Sequence, residues 1–121
     1  MKNIFIALMV LLLPATAHVY AQDFSESAKI QYLISSVETL EGAKFIRNGS
    51  EYNARDASDH LRLKLKVAGK KVKTAEDFIK FCASKSSITS EPYLMRFADG
   101  TNVKSEVFFT NKLKTFPIDK Q

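Results

Sequence analysis

Residues 22–121 predict a small single-domain α+β fold: a helix, a β-hairpin, two helices, a strand and a C-terminal helix. Three observations carry this. Apolar residues recur with a helical period between Ile30 and Leu40. Asn48-Gly49 separates two β-prone segments, Lys44-Phe45-Ile46-Arg47 and Ser50-Glu51-Tyr52. The remaining helical and extended segments follow one another without the βαβ rhythm of a parallel sheet.

The first helix is expected to begin at Asp23 or Ser25, where Asp23 and Glu26 have the spacing of a capping box. Ile30, Leu33, Ile34, Val37 and Leu40 then lie at i, i+3, i+4, i+7 positions and form one apolar face. Gly42 closes it. Asn-Gly suits a type I′ turn, which needs positive φ at both central residues, so a hairpin is placed there. Asn53 caps a second helix, with Asp56 at its third helical position. Ala54, Ala57, Leu61, Leu65 and Ala68 make its inner face, Gly69 ends it, and Leu63 points to a second packing surface. Thr74-Ala75-Glu76-Asp77 opens a third helix, lined by Ala75, Phe78, Ile79 and Cys82. Residues 84–92, rich in hydroxyls and ending at a proline, read as a loop. A strand over 93–97, a turn at Asp99-Gly100 and a helix over 105–116 complete the order, with Phe109, Leu113 and Phe116 facing inward and Pro117 as the stop.

The amino terminus speaks to location. Lys2, the apolar run from Ile4 to Leu13 and Val19-Tyr20-Ala21 have the order of a secretory signal peptide. Residues 1–21 are therefore expected to be removed, with cleavage after Ala21 and a second choice after Ala17, leaving a periplasmic protein. A spanning helix needs ~20 apolar residues, which this run does not reach, so no membrane span is expected after cleavage. Removing Lys2 from the 18 Lys and Arg, against 13 Asp and Glu, leaves a mildly basic +4. A domain of this size buries about 60 to 65% of its unfolded surface and can fold alone as a monomer.

Several chemistries are excluded. Cys82 is the only cysteine, so there is no internal disulfide, and His60 is the only histidine once His18 is removed with the signal. A Cys-based zinc finger or multi-histidine metal site cannot be built from these, and no cofactor or metal is expected. G-x-S-x-G, P-loop and C-x-x-C motifs are absent.

A set of ordered blocks carries a resemblance. Phe45-Ile46-Arg47-Asn48-Gly49, Glu51-Tyr52, His60-Leu61-Arg62-x-Lys64, Thr74-Ala75-Glu76-x-Phe78-Ile79, Ala83-Ser84-Lys85-Ser86-Ser87 and Pro92-Tyr93 occur in that sequence. The chain resembles the YfeK-like family of small exported bacterial proteins, a domain of unknown function. The match spans nearly the whole mature chain and departs most over 99–121. It implies a bacterial periplasmic location and transfers no functional residues.

Candidate sites follow from residue chemistry, each beside a plainer reading. Arg62, Lys64, Lys66, Lys70, Lys71 and Lys73 lie between Asp59 and Glu76 with no acid among them. They suit an anionic envelope component, or are simply a solvated helix face. Nucleic acid is not expected, because no aromatic platform interleaves the lysines. His60 has Asp56 one turn before it and Lys64 one turn after. That order suits a general base, or an ordinary surface pair. Ser84, Lys85, Ser86 and Ser87 offer hydroxyls beside a cation, for a sugar or phosphate, or as plain loop chemistry. Cys82 shares the face of Phe78 and Ile79 and is expected in the core. A binding module for an anionic envelope component or a periplasmic protein is the expected function. Its ligand site would combine Arg47, His60, Arg62, Lys64, Ser84, Lys85, Ser86 and Ser87, with Lys66, Lys70, Lys71 and Lys73 as a basic patch. The alternative is a small hydrolase pairing His60 with a serine of the 84–87 loop; no catalytic residue is assigned. The affinity is expected in the basic segment 62–73 rather than at His60.

Overall fold

The computed structural model describes residues 13–117, and side chains from Ser25 onward. Helix α1 (Leu13–Glu38) is followed by strands β1 (Lys44–Arg47) and β2 (Ser50–Tyr52), helix α2 (Ala54–Ala68) and a 3-10 turn (Gly69–Lys71). Helix α3 (Ala75–Cys82), strands β3 (Leu94–Arg96) and β4 (Asn102–Lys104) and helix α4 (Ser105–Leu113) follow. The fold is α+β, with four helices and one antiparallel sheet of order β2-β1-β3-β4 among the described residues.

The expected hairpin is present. Arg47 pairs with Ser50, and Asn48 and Gly49 take φ of 51° and 80°, the positive values a type I′ turn requires. A Cβ on Gly49 would meet nothing within 4 Å, so the cost of substitution there is purely conformational. Gly49→Val should therefore lose about 1 kcal/mol or more of stability in a urea titration. An unchanged midpoint would place the turn elsewhere.

Sheet register sets which side chains face the helices. Phe45 lies opposite Tyr52 on one side and Met95 on the other, and Met95 lies opposite Val103. This row packs on the helical layer: Met95 is fully buried and Phe45 is 8% exposed. Because strand side chains alternate, Arg47, two residues from Phe45, shares that inner face. From the helices come Ile30, Leu33, Ile34 and Val37 of α1, Leu61 of α2, Ala75, Phe78, Ile79 and Cys82 of α3, and Phe109 of α4, all buried. Cys82 is free and buried as expected, and burial pushes its thiol above its ordinary pKa.

The caps of α2 and α3 agree with the sequence. Asn53 Oδ1 accepts from the Asp56 N–H at 2.8 Å, and Gly69 closes α2 with φ of 54°. Thr74 and Asp77 form a reciprocal capping box on α3. The Lys73 N–H, and after it the Thr74 N–H, hold the Asp77 carboxyl below its usual range.

Three elements differ from the sequence reading. Helix α1 runs unbroken through positions 23–25, so the helix does not start there. Glu26 instead caps another helix: its Oε1 accepts from the Ala75 N–H at 2.9 Å, while Lys29 donates to Oε2 at 3.0 Å. Burial would raise that carboxyl, but these two partners outweigh it and hold it low. The second difference is β4. The turn at Asp99-Gly100 has a second strand after it, so β3 belongs to a hairpin and is not a lone strand. Asn102-Val103-Lys104 carries one apolar residue on an edge strand, too few to show alternation. Third, α4 stops at Leu113, and the Lys112 and Leu113 carbonyls accept from Thr115 and Phe116 in a turn. Phe116 is half-buried outside the core, edge-on to Tyr32 at 5.4 Å. The expected n-region and the apolar run up to residue 12 lie outside the described residues.

Candidate functional site

The site grows from two adjoining faces. The inner face of β1 presents Arg47, and α2 presents His60 and, one turn later, Lys64. Tyr52 sits on the neighbouring strand and Tyr93 immediately before β3. Arg47 Nη1 lies 2.7 and 2.8 Å from the two imidazole nitrogens of His60, and Nη2 donates to the Tyr52 hydroxyl at 3.2 Å. The guanidinium carbon stands 5.0 Å from the Tyr52 ring centre, a cation–π distance. On the other side, Lys64 Nζ donates to the Tyr93 hydroxyl at 3.0 Å and to the Lys85 carbonyl at 3.3 Å. The Tyr93 hydroxyl lies 3.5 Å from His60 Nε2, and its ring meets the imidazole edge-on.

These neighbours decide the state of His60. Burial, then the positive charges of Arg47 and Lys64, push its pKa down from 6.5 to about 4. The imidazole is neutral at neutral pH and accepts from Arg47. Asp56 does not orient it: among the described residues its hydrogen-bond partners are Arg47 and Tyr93. The unfolded chain binds a proton near pH 6.5 that the folded chain refuses until about pH 4, so stability is lost as pH falls through that window. The full shift would correspond to about 3 kcal/mol, which screening at a half-exposed ring cuts to roughly 1 kcal/mol. Thermal melts at pH 7.5 and 4.5 should show that loss, and His60→Gln should flatten its share of the slope. A His60 NMR titration midpoint near 6.5 in the folded protein would contradict this environment.

Arg47, His60 and Tyr93 form the wall between two concavities. One is an apolar pocket of about 260 Å³ lined by Phe45, Leu61, Ala83, Leu94 and Phe109, with Asp56 and Asp59 also in its lining. The other is an open groove of about 660 Å³ between the outer face of α2, the end of α3 and the loop 84–90. Among the described residues five cations line this groove, Arg47, Lys64, Lys71, Lys80 and Lys85, and no carboxylate does. Leu63, Val67, Phe81 and Ile88 add an apolar component.

The structure sorts the sequence candidates. Arg47, His60 and Lys64 come together, and Lys85, Ser86 and Ser87 join them in the groove. Ser84 does not: its hydroxyl donates to the Ile79 carbonyl at 2.6 Å. Ser86, 4% exposed, uses its Oγ to accept from Asn48 Nδ2 and from the Ile88 and Thr89 N–H groups. Arg62 faces away and pairs with Glu38 at 2.8 Å and Asp59 at 3.4 Å. Helical and 3-10 geometry also splits the basic run. Lys71 lines the groove, whereas Lys66, Lys70 and Lys73 lie outside its lining. The serine–histidine pair of a hydrolase is not assembled, since no serine hydroxyl bonds His60 among the described residues. Nor do three or more His, Cys, Asp or Glu side chains gather there in a metal-binding group.

Tyr52, Tyr93, Lys80, Phe81 and Ile88 are site residues that the sequence reading did not select. Ile88 left a signal, an isoleucine alone among hydroxyls. Lys80-Phe81 left a weaker one, on the outward side of a helix whose inner face is well defined.

Among the described residues no helix is long and apolar enough to cross a membrane. No solved structure matches the chain. An uncharacterized protein of Salmonella typhimurium, YfeK, is 42% identical over 95 residues, covering 77% of each chain. The model of a family of unknown function, DUF5329, matches residues 24–117, which include every residue of the groove and its wall. The chain belongs to that family.

Proposed function

We propose that the protein is a periplasmic binding module, exported by residues 1–21 and cleaved after Ala21, that holds an anionic envelope component and performs no chemistry of its own. One observation carries this reading: a groove lined, among the described residues, by five cations and no carboxylate. Like charges gathered in one concavity repel one another, and an anion in the groove relieves that repulsion. Each contributes modestly alone, but together they favour an anion in a salt-dependent way. Neutral His60 fits a binding role better than a catalytic one. A base with a pKa of about 4 has little drive to take a proton at neutral pH. The affinity resides in the groove cations rather than in the whole 62–73 run.

The test uses protein recovered from the periplasmic fraction, where an amino terminus at Gln22 is expected. Titration with anilinonaphthalene sulfonate, a small anion with an apolar body, should give fluorescence that weakens from low to physiological salt, as the Debye length falls to ~8 Å. Lys71→Glu with Lys80→Glu should remove most of the signal, and Lys70→Glu with Lys73→Glu should leave most of it. Equal losses in both pairs would assign the effect to net charge and reject the groove.

A further inference from the structure

Five large apolar side chains are exposed among the described residues, and four of them, Leu63, Val67, Phe81 and Ile88, line the basic groove. Val67 is 79% and Ile88 92% exposed. Isolated exposed apolar residues are ordinary, but four on one face among five cations and no acid are not scattered. Leu63 and Val67 stand one turn apart on α2, beside Lys64 and Lys71. The ammonium groups of Lys71 and Lys80 lie 5.8 and 5.3 Å from the Phe81 ring centre, so cation and apolar surface are interleaved.

The loop carrying Ile88 is held in place. Ser86 Oγ accepts from the Ile88 and Thr89 N–H groups at 3.2 and 3.3 Å. Thr89 Oγ1 donates to Asn48 Oδ1 at 2.6 Å, tying the loop to the β1–β2 turn. A fixed loop thus presents an isoleucine to solvent at the margin of a cationic groove. A small soluble anion would use the cations and leave Ile88 and Val67 in water. A lipid surface uses both: apolar side chains enter the acyl boundary while lysines meet the phosphates.

Resting on the groove reading above, we propose that this face docks on an anionic phospholipid bilayer, with Ile88 inserted at the interface and Lys71, Lys80 and Lys85 against the headgroup phosphates.

The test places an environment-sensitive fluorophore on Ile88→Cys in the periplasmic protein; Cys82, fully buried, is shielded from the label. Vesicles containing phosphatidylglycerol should shift the emission to the blue, and pure phosphatidylcholine vesicles should not. Vesicle partitioning of unlabelled protein should fall at least tenfold in Lys71→Glu/Lys80→Glu and at least fivefold in Ile88→Asp. Lys104→Glu/Lys114→Glu changes net charge equally, away from the groove, and should stay within twofold of wild type. Comparable loss in that control would overturn the proposal in favour of unspecific charge. No shift at position 88 with normal dye binding overturns the bilayer and leaves the anion groove standing. If Lys71→Glu/Lys80→Glu changes neither dye nor vesicle binding, both readings fail. Polyglutamate producing the same shift without vesicles would assign the face to an acidic protein and overturn the lipid proposal.

Discussion

Phe78→Ala is expected to cost about 3–5 kcal/mol, a large share of the 5–15 kcal/mol that holds a domain together. Phe78 is fully buried on α3 and meets Phe109 of α4 edge-on at 6.4 Å. Its ring belongs to a core shared by α1, α2, α3, α4 and the sheet. The substitution removes that apolar area from the interior and leaves a cavity that close-packed neighbours fill only in part. In a domain of this size each lost kcal/mol lowers Tm by about 4–8 °C, so a fall on the order of 15 °C or more is expected by calorimetry. A change below 5 °C would mean that α3 does not lie across the core. The groove would suffer as well, since α3 also carries Lys80 and Phe81 into it.

Ser86→Ala should be the most damaging single change outside the apolar core. Ser86 Oγ accepts three hydrogen bonds, two from backbone N–H groups. Alanine removes the acceptor and leaves three donors in a part-buried turn to find other partners, at a cost of about 1 kcal/mol or more. The effect should be local as well as global. Amide exchange at Ile88 and Thr89 should accelerate beyond the change in overall stability, and binding through the groove should weaken because the loop no longer holds Ile88 and Lys85 in position. Ser86→Thr, which retains the oxygen, should restore part of both. Unchanged exchange at Ile88 in Ser86→Ala would show that the loop is held by other contacts, such as the Ser86–Glu91 and Ser90–Ser86 backbone pairs.

Ser86 also shows what residue type alone conceals. As a sequence, Ser84-Lys85-Ser86-Ser87 offers three equivalent hydroxyls beside a lysine. In the fold, Ser84 ties back to the Ile79 carbonyl, Ser86 organises the loop, and Ser87 lines the groove. A hydroxyl that satisfies backbone donors and one that faces a groove have the same composition; only the position of the donors separates them. The basic run behaves similarly. Six cations between Asp59 and Glu76 read as one patch, yet Arg62 pairs with Glu38 and Asp59, and only Lys64 and Lys71 of the six enter the groove. About 100° of rotation per helical residue is enough to send neighbours to different faces.

His60 makes the same point through charge. Its sequence neighbour Asp56, one turn away, suggested a general base or an ordinary surface pair. The partner that reaches it comes from thirteen residues away on β1 and is a guanidinium, which adds to burial in driving the pKa down. The surroundings that set the imidazole's charge are thus tertiary, and its helical neighbour Asp56 takes no part in them.

What the amino-acid order settled was local. The apolar face of α1, the caps at Asn53 and Thr74, the Asn48-Gly49 turn and the inner faces of α2 and α3 depend on contacts within about four residues, so their spacing carries the information. The β3–β4 hairpin was only half visible, because an edge strand buries too little to impose a pattern. Tertiary structure alone decided the site. Arg47 from β1, Lys64 and Lys71 from the α2 region, Lys80 from α3 and Lys85 from the loop share a groove because the packing of the core brings those elements together. The pairing of apolar and cationic side chains in that groove arises from residues far apart in the chain, and no local period encodes it.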